Sequence, residues 1–261
     1  MLALSVSALV ALVPAALLPY RREPVRDGVF WALLAVAIAG AIAWTWSYLG
    51  HGWHTGIAPA LWVTIAASLV LFAAFSVSMR EVWRLAPLLF PYLIVIGILA
   101  TVWLHQPERP LQEASVWIRL HIVLSVLTYG LLTIGAIAGL SVVLQERSLK
   151  NKHPTRLTRV LPSVADSERI QVRLLAAGAV VLGIDLVSGM AALYVETGAL
   201  LEFSHKVAFS LLTFVTILVL LLVHAKTGIR GRRAARYVLL AYLLITLAYP
   251  GVKFVTDVVL T

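Results

Sequence analysis

Two histidines in this chain open apolar runs at matching positions. His121 stands in SVWIRLHIVLSVLTYG, and Ser125 and Thr128 follow it at i+4 and i+7, so the three share one helical face. His205 opens EFSHKVAFSLLTF beside Lys206. Two neutral imidazoles entering one cavity from neighbouring helices can hold a metal. Bis-histidine ligation suits a six-coordinate haem, which asks for two protein ligands, apolar walls and cations for its propionates. Zinc or copper bound by the same pair would usually want a third or fourth ligand. Arg119 and Lys206 adjoin the two histidines, and Phe209 and Phe214 follow as candidate walls. Histidines that cap their helices or meet lipid headgroups fit the same residues.

Asp185 lies in LGIDLVSGMAALYVE, on a stripe with Gly189, Ala192 and Glu196. The small residues allow close helix packing. An acid at membrane depth is a functional candidate: it can relay protons, bond a neighbouring hydroxyl, or sit protonated against a backbone carbonyl. Glu196 and Glu202 read as solvated. His51 and His54, in YLGHGWHTG, read as an interfacial loop around Trp53 rather than a metal site. His224 ends the run that His205 opens, and His153 lies in a basic connection, so neither shares a ligand with His205.

The elements carrying these residues are eight apolar runs, about 3–20, 28–48, 58–79, 85–104, 117–144, 171–195, 205–225 and 235–258. Each is long enough to cross about 30 Å of hydrocarbon as a helix. With 61% hydrophobic and 13% charged residues, the chain reads as an all-α polytopic transmembrane bundle. Of its 21 Lys and Arg, all but Arg109, Arg119, Lys206 and Lys253 fall in alternate connections. Basic loops stay inside, so both termini are expected outside. The net charge of +9 then reflects topology and anionic headgroups rather than nucleic acid. The absence of cysteine excludes disulfides, thiol redox chemistry and Cys-ligated metals. The first run lacks a basic n-region and reads as a retained span.

Residues 1–104 form a four-helix half of few polar atoms, and 105–261 a second half with one sizeable inner loop, 145–169. Within that loop Leu157, Val160, Leu161 and Val164 have helical spacing; they fit either a short interfacial helix or part of a solvated basic loop. Pro14, Pro19, Pro87 and Pro91 are expected to kink or end helices. Trp31, Trp44, Trp46, Trp53, Trp62, Trp83, Trp103 and Trp117 are expected to form an interfacial belt.

The stretch IRLHIVLSVLTYGLLTIGAIAGLSVVLQERSLK, the segment LPSVADSER and the end SHKVAFSLLTFVTILVLLLVHAKTGIRGRRAARYVLLAYLLITLAYPGVKFV resemble the core of the cytochrome c assembly family. The resemblance covers about 117–258. His121 matches the family's outer haem-ligating histidine, and Lys206 the lysine that opens its tryptophan-rich helix. Phe209, Phe214, Val207 and Leu222 stand where full haem-to-cytochrome ligases carry tryptophans, an acid and an inner histidine. The resemblance therefore implies the smaller HemX- and YpjD-like branch. It implies a multi-pass protein of the bacterial inner membrane that binds haem b through His121 and His205, assists cytochrome c assembly and works beside other biogenesis proteins. The competing expectations are a transporter for a metal ion or small solute, lined by Asp185 and HGWHTG, and a ligand-free scaffold subunit. No enzymatic activity is expected, since no activated nucleophile or phosphate-binding glycine loop is present.

Overall fold

Backbone amides in hydrocarbon must be paired within their own segment, so each apolar run folds as a helix. The computed structural model describes residues 1–21, 25–50, 54–105, 109–110, 115–200, 202, 204–228 and 231–255. In chain order the helices are α1 (Leu2–Arg21), α2 (Gly28–Leu49), α3 (Ile57–Ser78), α4 (Ala86–Val102), α5 (Val116–Asn151), α6 (Arg156–Val160), α7 (Val164–Thr197), α8 (His205–Thr227), α9 (Gly231–Thr246) and α10 (Val252–Phe254). Among the described residues, eight helical segments are long and apolar enough to cross a membrane. The protein is thus an all-α polytopic bundle. A two-residue antiparallel ladder, His54–Thr55 against Arg109–Pro110, joins the α2–α3 and α4–α5 connections. His51, Trp53, Arg22 and Arg230 lie outside the described residues.

The long pair α5 and α7 forms the axis of the bundle. They run antiparallel in one register that holds from end to end. His121 faces Gly189, Leu132 faces Gly178, Leu175 faces Gly135, and Gln171 faces Gly139; Ser125 bonds Asp185, and Ser141 meets Ser167 at 3.0 Å. Glycine on one helix receives a larger side chain from the other, which lets the backbones approach closely. On one side α1–α4 pack against this axis, with Leu12, Leu34, Leu69, Phe72 and Phe90 continuous with Leu131, Ile134 and Leu174. On the other, α8 and α9 bring Ile217, Leu220 and Val238 against Leu132 and Leu182.

Two expectations are corrected. Trp44 and Trp62 belong to the core, not an interfacial belt: their rings stack at 5.3 Å, Trp44 Nε1 donates to Ser5 Oγ at 2.8 Å, and both are shielded from solvent. Among the described residues, Trp46 and Trp117 are the exposed tryptophans. Segment 145–169 is not an open loop. α5 continues to Asn151 and α7 begins at Val164, so α5 is about 54 Å long at 1.5 Å per residue and overruns the hydrocarbon at its basic end. Gln145 Nε2 donates to the carbonyls of Thr158 (2.8 Å), Leu161 (3.2 Å) and Pro162 (3.0 Å), and Val160 and Leu161 are buried in the protein. The last span carries a break: after α9 a π-turn, Leu247–Gly251, contains Pro250. Proline has no N–H to donate, and the ladder accommodates the gap by widening one turn. Pro14 and Pro19 lie inside α1, and Pro91 lies inside α4.

Polar ties fix the ends and middle. At the basic end, Glu168 of α7 accepts from Gly231 N–H, and Glu146 Oε1 of α5 accepts from Arg232 N–H at 3.1 Å. Two carboxylates thereby satisfy the first amides of α9, where the helix dipole also favours negative charge. Gly231 has φ of 64°, and a Cβ there would collide with the Glu146 carboxylate. In mid-bundle the Tyr242 hydroxyl of α9 meets that of Tyr92 on α4, donates to Tyr129 of α5 at 3.3 Å, and lies 3.1 Å from Thr133 Oγ1.

Candidate functional site

Ser115 begins α5 by accepting from Ile118 N–H at 3.3 Å. His121 therefore enters a little over one turn inside the helix, at the end opposite the basic connections. The α5–α7 register sets its ring over Gly189 and beside Asp185. Nδ1 lies 2.9 Å from Asp185 Oδ1, 3.1 Å from the Asp185 carbonyl oxygen and 3.3 Å from Ser188 Oγ. A backbone carbonyl can only accept, and so can a carboxylate. Nδ1 therefore carries the hydrogen, and in the neutral ring Nε2 holds the lone pair. Asp185 is itself anchored: Ser125 Oγ donates into its carboxylate, 2.8 Å from Oδ1 and 3.0 Å from Oδ2. Ser188 Oγ donates back to the Asp185 carbonyl at 2.8 Å.

Burial differs across the pair. The Asp185 side chain is 8% exposed, and that of His121 is 39% exposed. The acid is locked inside the protein while the imidazole remains approachable. A metal-binding histidine typically has this arrangement, with one nitrogen donating to a carboxylate or carbonyl and the other open.

The other residues expected at the site are placed as follows. His205 is the first residue of α8, after the N-cap Ser204. It is exposed and makes no hydrogen bond or ion pair among the described residues. Lys206 is also exposed. Arg119 is exposed two residues before His121. Phe209 and Phe214 pack into the core that α8 shares with α5, α7 and α9. Phe214 lies over Gly183 and lines, with Ile184, Val187 and Leu218, an open apolar groove of about 430 Å³ between α7 and α8. That groove uses a different face of α7 from the one carrying Asp185 and Ser188. His224 is half-buried near the other end of α8. His54 is described only by its backbone pairing with Pro110. No cluster of three or more His, Asp or Glu side chains converges among the described residues.

The partnership of His121 with Asp185 is the element that residue-by-residue reading missed. Both stripes, His121–Ser125–Thr128 and Asp185–Gly189–Ala192, are visible in the sequence. Their docking depends on which glycine of α7 receives the ring.

The fold and this site define an integral membrane helix bundle with one oriented imidazole at its less basic end. The chain matches the model of the family described as "Cytochrome C assembly protein" over residues 83–260, and it belongs to that family. It is 52% identical over 263 residues (98% of this chain, 97% of the relative) to an "Uncharacterized 28.8 kDa protein in nifR3-like 5'region" of Azospirillum brasilense. It is 28% identical over 177 residues (68% of this chain, 66% of the relative) to "Inner membrane protein YpjD" of Escherichia coli strain K12. No solved structure gives a significant match. Family membership supports a role in cytochrome c biogenesis.

Proposed function

We propose that this chain binds haem b at its His121 end and serves cytochrome c assembly in a bacterial inner membrane, with both termini outside. The observation that carries the reading is His121 itself. Its ring is approachable, its Nδ1–H is engaged by the side chain and carbonyl of Asp185, and its Nε2 lone pair is left to bind iron. The donor chemistry fits the group: a neutral imidazole flanked by apolar helices, with cations at the same end. When bound, haem supplies an iron centre that takes up and releases one electron.

Within this reading His121 and His205 would together hold the haem iron. His205 suits that role because it engages nothing else among the described residues and starts its helix at the same end of the bundle. Lys206 and Arg119 would supply the cations for its propionates. Phe209 adds apolar surface along α8, and Phe214 does so deeper in the membrane. The Escherichia coli relative is named as an inner membrane protein, which supports the location, and the family supports the pathway.

The test is a haemin titration of the detergent-purified full chain, followed by its absorption spectrum. The wild type should give a Soret band and a sharp low-spin ferrous spectrum. His121→Ala and His205→Ala should each remove one ligand and leave weaker, five-coordinate haem. His224→Ala should bind as the wild type does, since it lies near the opposite end of α8. A double variant, His121→Ala with His205→Ala, that still gives the wild-type spectrum would overturn the assignment.

A further inference from the structure

We propose that Asp185 is a positioning residue for the His121 ligand: held by Ser125, it fixes the tautomer and plane of the imidazole and raises the donor strength of Nε2. This rests on the haem-ligation reading and goes beyond it, because it assigns work to a buried acid that touches no ligand itself.

An acid in the membrane interior is expensive to bury, and it is retained where it has a partner or a task. Asp185 has both. The Ser125 hydroxyl reaches both of its oxygens at 2.8 and 3.0 Å. Oδ1 then takes the Nδ1–H of His121 at 2.9 Å. The Asp185 carbonyl takes the same N–H at 3.1 Å, so side chain and backbone of one residue converge on one ring nitrogen. Gly189, one turn further along α7, supplies the floor: a Cβ built there would stand 3.0 Å from Cε1, 3.2 Å from Nδ1 and 3.5 Å from Nε2. The ring is therefore fixed in direction by hydrogen bonds and in height by the α7 backbone.

The chemical consequence follows from the acceptor. A carboxylate drawing on Nδ1–H pushes electron density toward Nε2, makes it a stronger σ-donor and favours the higher charge on a bound iron. Loss of such a partner typically lowers metal affinity about 10–100-fold. Asparagine at the same place keeps an acceptor for Nδ1–H but removes the charge, so orientation and donor strength can be separated.

The experiment measures haemin affinity and reduction midpoint potential on the full chain in detergent, with circular dichroism to confirm helix content. Asp185→Leu should bind haem about 10–100-fold more weakly and raise the potential. Asp185→Asn should keep most of the affinity and still raise the potential. Ser125→Ala should move both in the direction of Asp185→Leu by a smaller amount. A purely structural role for Asp185 would leave the potential of Asp185→Asn at the wild-type value, and that result overturns the inference. If His121→Ala abolishes binding while Asp185→Leu and Ser125→Ala keep both affinity and potential, positioning fails and ligation stands. If His121→Ala binds haem as the wild type does, both fail together.

Discussion

Gly189 is the seat of the His121 ring: the position of its missing Cβ lies 3.0 Å from His121 Cε1 and 3.2 Å from Nδ1. Helix propensity alone favours Gly189→Ala, by about 1 kcal/mol in an interior position. The contact works against it. The imidazole is tethered at 2.9 Å to Asp185, so it can yield only by lengthening that bond or tilting. We expect Gly189→Ala to weaken haemin binding several-fold whatever its effect on stability. Gly28→Ala, with nothing within 4 Å of the added carbon, should leave binding unchanged. Equal affinities for the two variants would show that the ring does not depend on its floor.

The same residue marks the boundary of what the sequence makes legible. Spans, helical class and the faces of His121 and Asp185 follow from hydropathy and a 3.6-residue period, which are local. The pairing of the two faces does not, because it is set by where Leu132 and His121 of α5 meet glycines of α7 and where Leu175 of α7 meets a glycine of α5. Tryptophan misleads for a related reason. Trp46 and Trp44 are near neighbours in sequence, yet one is exposed and the other stacks on Trp62. Only the helix rotation, fixed by neighbouring helices, separates them. Segment 145–169 reads as a loop because it is charged and contains Pro154 and Pro162, but the side chain of Gln145 supplies backbone partners that composition does not reveal.

The orientation of the bundle is open to direct measurement. The basic residues that crowd one end should keep that end inside. Reporter fusions after Gly50, Pro110 and Leu200 should therefore read outside, and those after Val25, Thr155 and Gly228 inside. A fusion after Thr155 that reads outside would invert the arrangement and put His121 on the cytoplasmic side.

At the basic end, Glu146 and Glu168 accept from successive amides at the start of α9. These amides have no intrahelical partners, so each carboxylate acts as an N-cap from a distant helix. Removing such a cap costs about 1 kcal/mol, in a range of roughly 0.5–2. Glu146→Ala and Glu168→Ala should each lower the unfolding midpoint in detergent and speed hydrogen exchange at Gly231 and Arg232. Because both act on one helix end, the double variant should lose less than the sum. Haemin affinity should change little, since the site is at the other end of α5 and α7.

The last prediction concerns the tyrosines that join the first helices to the rest. Tyr242 is the hub: its hydroxyl meets those of Tyr92 and Tyr129 and lies near Thr133. Tyr129 has a second partner in Thr246 Oγ1 at 3.2 Å, and Tyr92, on α4, meets Tyr242. Hydrogen bonds between membrane helices are worth about 0.6 kcal/mol on average and up to about 1.7. Tyr242→Phe breaks several at once, so its cost should sit near or above the top of that range. Tyr92→Phe and Tyr129→Phe should each cost less. The decisive measurement is a double-mutant cycle on Tyr92 and Tyr242 in denaturant-induced unfolding. The double variant should be less destabilised than the sum of the singles, because removing both hydroxyls leaves neither orphaned in the bilayer. Strict additivity would mean that the two hydroxyls do not interact, and that α4 is held to α9 by ring packing alone, at the 6.2 Å centroid separation of the T-shaped pair.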